Sequence, residues 1–181
     1  QHLQNPQSPY AIAKQTSFNL VKMYRETFSL KCMSGVLFNH ESNLRSNAFV
    51  TQKIIKAAMK ISKDKSITLR LGNIDVIRDW GWAPEYIEAM QIITNSTKIN
   101  DHVICTGEAH TLKDYISNVF SFFELEWQDH VILDKTLFRP NEILRSYGNP
   151  KPLSNELGWK AKISFSMIIN KMISGSIDTK I

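Results

Sequence analysis

An α/β fold is what this sequence predicts. A capped helix opens the chain, a mostly apolar run suited to a buried parallel strand follows it, and helix-like and strand-like segments then alternate to the end. Ser8 is a good N-cap and Pro9 suits the first helical position, which starts a helix expected over 10–28. The run from Leu30 to Phe38 reads as a strand over 32–38, and Asn39-His40-Glu41-Ser42 delivers polar groups at its carboxyl end, where open α/β sheets bind ligands. A polar loop over 39–46 leads to a helix at 47–63. Its Val50, Ile54, Ala57, Ala58 and Ile61 form an apolar stripe, against a solvated face of Lys53, Lys56, Lys60, Lys63 and Lys65. A strand at 66–71 and a turn-rich loop at 73–81 come next, then a helix at 83–94 opened by Pro84, and a strand at 102–106. Gly107 turns the chain into a helix at 111–123 that Thr111 caps. The remainder reads as a strand at 130–133, a loop or short helix at 138–148, a short turn at 155–157 and a last helix at 165–174.

Composition narrows the function classes. At 181 residues and 43% apolar the chain can bury one respectable core. The net charge of +5 is spread along the chain without a run of five or six basic residues, and no recognisable RNA or DNA module interleaves them with aromatics, so no nucleic-acid partner is expected. Cys32 and Cys105 sit in apolar, strand-like runs and read as small buried thiols of a reduced, cytoplasmic protein. His102, Cys105 and His110 lack a second Cys or His pair at zinc-site spacing, so no metal is expected. Ser42 beside His40 lacks the G-x-S-x-G elbow of a hydrolase. No apolar stretch approaches the roughly 20 residues that span a bilayer, and no leader-like segment opens the chain, so a soluble protein is expected. Trp80, Trp82, Trp127 and Trp159 read as packing residues rather than a base-stacking platform.

The chemistry begins with Tyr10 and Lys14, four positions apart on the first turns of the opening helix and therefore on one face. An ammonium beside a phenol favours the phenolate, which suits the pair to move a proton to or from a sugar hydroxyl. Tyr-x-x-x-Lys also arises on ordinary amphipathic helices, so its context carries the weight. SPYAIAK, VLFNHES, FVTQKI, LGNIDVIRDWGWAPEYIEAM, ICTGEAHTLKDY and FRPNEI, in this order, closely resemble the later half of GDP-mannose 4,6-dehydratases, of the extended short-chain dehydrogenase/reductase superfamily. The resemblance runs from about residue 5 to 170 and implies the C-terminal part of a Rossmann-type doubly wound sheet plus a smaller mixed α/β nucleotide-sugar-binding domain. On that basis residues 1–39 end the NADP-binding Rossmann domain, and residues 40–181 form mainly the nucleotide-sugar domain, with segments returning to the Rossmann sheet.

What the resemblance implies about residues is specific. Tyr10 matches the catalytic tyrosine and Lys14 its partner, which also contacts the nicotinamide ribose of NADP; His40 and Arg45 match cofactor-contacting positions. Asn39, Lys53, Arg78, Arg139 and Glu142 match nucleotide-sugar positions, where cations neutralise a diphosphate and the acid or amide bonds hydroxyls. Arg78 and Arg139 equally suit surface ion pairs with Asp79 or Glu142. The family's NHESPRRG loop, implied to join subunits around the cofactor phosphates, reads NHESNLRS here, so Asn43, Leu44 and Ser46 depart from it. Gln52 stands where the family usually has Arg.

The implied reaction converts GDP-mannose to GDP-4-keto-6-deoxymannose and water through an internal NADP hydride cycle, in a homo-oligomer, dimer or tetramer. None of the seven glycines forms a dinucleotide-binding loop, and the chain opens at Gln1-His2-Leu3 without a Met. The expectation is therefore a fragment that does not turn over alone. Another NAD(P)-dependent nucleotide-sugar epimerase or reductase, and a non-catalytic binding or assembly remnant, stay open as alternatives.

Overall fold

The computed structural model describes residues 5–139 and 141–178; the opening Gln1-His2-Leu3 and Pro140 of the FRPNEI segment lie outside the described residues. Helix α1 (Pro9–Phe28) is capped by Ser8, whose hydroxyl accepts from the Ala11 N–H, with Pro9 in its first turn as the sequence predicts. The chain then forms β1 (Gly35–Leu37), β2 (Asn39–Glu41), α2 (Val50–Ile61), β3 (Leu69–Leu71), β4 (Ile77–Arg78), β5 (Trp80–Trp82) and α3 (Ala83–Asn95). The second half adds β6 (His102–Ile104), β7 (His110–Thr111), α4 (Leu112–Phe122), β8 (Val131–Leu133), β9 (Arg145–Ser146), α5 (Lys151–Leu157) and α6 (Phe165–Asp178).

Parallel pairing dominates. β1 pairs with β6, β2 with β5 and β3 with β8, all parallel, while β4 lies between β7, antiparallel, and β9, parallel. One extended segment, 35–41, thus changes partner at Phe38: its first half lies on β6 and its second on β5. Such a change splays the backbone and leaves the strand ends facing a crevice. α2, α4 and α6 close over β3 and β5, burying Ile54, Ile61, Leu71, Trp80, Ile116, Phe120 and Ile169 in one cluster. A second cluster joins Tyr86, Ala89 and Ile93 of α3 to Ile104, Leu153 and Trp159. Trp82 and Trp127 pack half-buried on the first cluster, so all four tryptophans serve packing, as expected.

α1 stands apart from both clusters: it has no buried residue, and Leu20, Tyr24 and Phe28 are exposed. Its anchor is polar. The Arg25 guanidinium donates two bonds to Asp101, at 2.8 and 2.9 Å, and a third to the Cys32 carbonyl. Asp101 also accepts from the Ser34 N–H, and these bonds, chiefly the one from Arg25, hold its carboxyl below the usual range.

Several expected boundaries are corrected. The strand expected over 32–38 begins only at Gly35, because Cys32 turns back onto the Leu30 carbonyl and Ser34 is tied sideways to Asp101. The loop expected at 39–46 starts as β2, and the loop expected at 73–81 holds β4 and β5. The turn at 155–157 is the end of α5, which stops at Gly158 with φ of +74°, and the 138–148 segment carries β9. The helix at 47–63 contracts to α2, the strands at 66–71 and 130–133 to their last three residues, the strand at 102–106 to its first three, and the last helix extends to Asp178. Thr111 caps α4 in a full capping box with Asp114. Cys105 is fully buried and its thiol is pushed up to about 12 by burial, then by Asp79, whereas Cys32 is only half-buried.

Tyr86 yields a stability prediction. Its ring fills the space beside Gly81, where a Cβ would meet it within 2.2 Å, and its buried hydroxyl meets no hydrogen-bond partner among the described residues. Burial, reinforced by Asp79, pushes its ionisation upward, so the hydroxyl stays protonated and unpaired. Tyr86→Phe removes an unsatisfied donor without a cavity, and raises stability in urea unfolding by about 1 kcal/mol.

Candidate functional site

β2 brings Asn39 and Glu41 to the crevice below the Phe38 partner change, β4 adds Arg78, and the segment after Leu137 adds Arg139 and Glu142. Together with Arg45 these line one cavity of about 450 Å³, within the range of small-ligand sites. Phe49, Trp80, Leu112 and Leu137 form its apolar walls. The neighbourhood is cationic: three guanidiniums, of Arg45, Arg78 and Arg139, face two carboxylates, of Glu41 and Glu142. The guanidinium of Arg78 is anchored by donating to its neighbouring Ile77 carbonyl at 2.8 Å. Burial lowers its pKa most, Glu142 opposes that, and Arg139 adds to it through like-charge repulsion. An arginine stays protonated regardless, so this is a site with an unmet demand for negative charge.

Asp79, next to Arg78, does not pair with it. Its fully buried carboxylate accepts from the Thr106 N–H and hydroxyl and from the Gly107 N–H, at 2.8–2.9 Å. Gly107 holds φ of +85° with Pro150 against it, so a side chain there meets both strain and a clash. Asp79 thereby fixes the end of β6 to the β4–β5 connection, and with it the backbone that carries Arg78.

The other predicted positions lie outside the cavity lining. Lys53, exposed on α2, donates to the Arg70 carbonyl at 2.8 Å. Lys56 and Lys60 share its exposed helical face as expected, whereas Lys63 and Lys65 are exposed in the turns after α2 ends at Ile61. His40 is half-buried; its Nδ1 donates to the Phe38 carbonyl at 2.8 Å and its ring leans on Tyr86. Tyr10 is 73% exposed at the start of α1, with the Lys14 ammonium 5.7 Å from its ring centre, so the pair does share one face. A phenol and an ammonium on α1 and an imidazole in the middle of β2 are, by their chemistry, donors that suit the hydroxyls and amide of a nicotinamide riboside. None of the chain's own glycines forms a pyrophosphate-binding loop.

Sequence reasoning missed Glu41, Thr51 and Asp79. Glu41 is 1% exposed; its carboxylate accepts from the Thr51 hydroxyl at 3.0 Å and lies 3.3 Å from Arg45 Nε. Burial raises its pKa, while Arg45 and then Thr51 oppose the rise. The available signal was the acid inside Asn39-His40-Glu41-Ser42, four residues before an arginine.

Similarity to known proteins agrees with this architecture. The family model described as GDP-mannose 4,6 dehydratase matches residues 1–172. GDP-mannose 4,6 dehydratase 1 of Arabidopsis thaliana is 38% identical over 174 residues, covering 96% of this chain and 48% of that protein. The chain spans about half the length of the curated relatives it matches. The dTDP-glucose 4,6-dehydratase of Bacillus anthracis, solved with NAD, superposes with a TM-score of 0.84 at 15% identity, over 97% of this chain and 54% of that one. RMD from Pseudomonas aeruginosa, complexed with NADPH, superposes with a TM-score of 0.82 at 22% identity, over 97% and 58%. The fold is thus the C-terminal part of a Rossmann-type α/β subunit. With the family model matched over nearly all of its residues, the chain belongs to the GDP-mannose 4,6 dehydratase family.

Proposed function

We propose that this chain is the nucleotide-sugar half of an NADP-dependent GDP-mannose 4,6-dehydratase, working in the cytoplasm as a homo-oligomer. The observation that carries the reading is the cavity in which Asn39, Arg78, Arg139 and Glu142, drawn from three separate segments, meet with an excess of positive charge. Arg78 and Arg139 neutralise the diphosphate through forked donors, and Asn39 and Glu142 bond hydroxyls of the ribose or the mannose. Lys53 serves the same anion from its exposed position on α2 by exchanging its bond to the Arg70 carbonyl. The bound nicotinamide group supplies hydride acceptance and return. Tyr10 takes the proton from the C4 hydroxyl as its hydrogen is removed, and the Lys14 ammonium stabilises the negative charge on the phenol oxygen. Lys14 and His40 hold the cofactor's ribose side, and Arg45 takes a phosphate oxygen. Domain roles follow, with residues 1–39 on the cofactor side and 40–181 mainly on the sugar side.

The direct test is the reaction itself. A protein spanning the full length of the relatives, given GDP-mannose and NADP, forms a 4-keto-6-deoxy sugar nucleotide with no net change in nicotinamide absorbance. Net consumption of NADPH when NADPH is supplied in place of NADP, or a sugar epimerised with all its oxygens retained, points instead to the reductase or epimerase alternative. Arg139→Ala separates the two ligands: by calorimetric titration it weakens GDP about tenfold, as loss of one charge-assisted pair does, and NADP less. Equal losses for both ligands refute the assignment of Arg139 to the diphosphate.

A further inference from the structure

We propose that Glu41 is a positioning residue, whose buried carboxylate sets the Arg45 guanidinium at the cavity wall to receive a phosphate-ester oxygen. The inference rests on the cavity being an anion site, as read above, and adds how one of its cations is held. Glu41 closes β2, in ladder register with Trp82, so its backbone is fixed by a strand. Its side chain is 1% exposed and is held in place by the hydroxyl of Thr51, itself 2% exposed on α2. An isolated buried carboxylate is strongly disfavoured, so this one needs its cation. Arg45 reaches it because the chain reverses between them: the Arg45 N–H bonds the Ser42 carbonyl at 3.0 Å and the Leu44 N–H bonds the Ser42 hydroxyl.

The guanidinium is confined from two directions. Its Cζ lies 3.6 Å from the centre of the Phe49 ring, and its Nε is 3.3 Å from Glu41 in an electrostatic contact that is not aligned as a hydrogen bond. The terminal nitrogens make no hydrogen bond among the described residues, and they form the fork that a pair of phosphate oxygens takes. Among the described residues, the charged and titratable groups around Glu41 are Arg45 from the loop and Tyr115 from α4, with Arg78, Arg139 and Glu142 across the same cavity. Without Glu41, a guanidinium on a short exposed turn loses its orientation and is repelled by Arg78 and Arg139.

The phosphate has two possible sources, the diphosphate of the nucleotide sugar and a phosphate of the dinucleotide, and titrations with GDP and with NADP separate them. In calorimetric titrations, Arg45→Ala weakens one of these ligands, and Glu41→Ala weakens the same one, by about tenfold. Glu41→Gln, which keeps the shape and the Thr51 bond but not the charge, falls between. The double variant loses no more than Arg45→Ala alone, because the second residue acts only through the first. Additive losses, or Glu41→Ala binding both ligands as the parent does, overturn the proposal. A second measurement needs no ligand: in carboxyl-carbon NMR, Arg45→Ala moves the Glu41 titration midpoint to higher pH. An unmoved midpoint overturns the coupling even if the Glu41→Ala variant fails to fold. Absence of GDP and NADP binding in the parent, with the midpoint still moved, counts against the functional reading and leaves the Glu41–Arg45 coupling standing.

Discussion

Tyr10→Phe, in a protein spanning the full length of the relatives, lowers kcat with GDP-mannose by about 10²–10⁴, the range that general acid–base groups supply. GDP and NADP affinities stay close to those of the parent. The reasoning starts from α1: Ser8 and Pro9 set the first turn, and the turn places the phenol and the Lys14 ammonium on one face. Removing the hydroxyl deletes the atom that accepts the substrate proton, while ring and helix remain, so kcat falls without a matching loss of binding. Because Tyr10 is 73% exposed and α1 contributes nothing to either buried cluster, the substitution leaves folding stability within about 0.5 kcal/mol of the parent, the scatter of ordinary surface changes. Steady-state kinetics with a parallel urea titration checks both halves. Turnover retained in the Phe variant removes Tyr10 as the proton carrier.

Asp79→Ala is expected to be the most destabilising single change at the site, by about 3–5 kcal/mol, as when one partner of a buried charged network is removed. The carboxylate is fully buried and satisfies the Thr106 N–H, the Thr106 hydroxyl and the Gly107 N–H, with the Gly148 N–H at 3.5 Å. Truncation strands these donors without solvent. It also frees the link between the end of β6 and the β4–β5 connection, so Arg78 loses its fixed register and GDP binding weakens with stability. Asp79→Asn keeps one acceptor oxygen and loses roughly half as much. Urea unfolding at constant pH measures both; an alanine variant as stable as the parent shows that these donors find other partners.

Much of the fold was legible in local patterns. Capping residues, apolar periodicity and glycine mark α1, α2, α3 and α4 because those signals act within a few residues of chain. β4, β5 and β9 were not legible, since segments of two or three residues carry no period, and their partners lie 32–68 residues away along the chain. The shortened β1 has the same origin: an apolar run looks like a strand throughout, but Asp101 captures the Ser34 N–H first. At the site, the resemblance supplied Asn39, Arg45, Arg78, Arg139 and Glu142 from scattered segments, and the packing put all five around one cavity.

By itself the sequence determined the chain's family, its helical framework and the adjacency of Tyr10 to Lys14, because spacing along a single helix is a local property. Tertiary structure decided which carboxylates serve as scaffolding. Asp79 turned from Arg78 to the 106–107 backbone, and Glu41 became the buried partner of Arg45. Both choices follow from desolvation, which penalises a buried carboxylate until distant donors surround it, and no local pattern records where those donors will be.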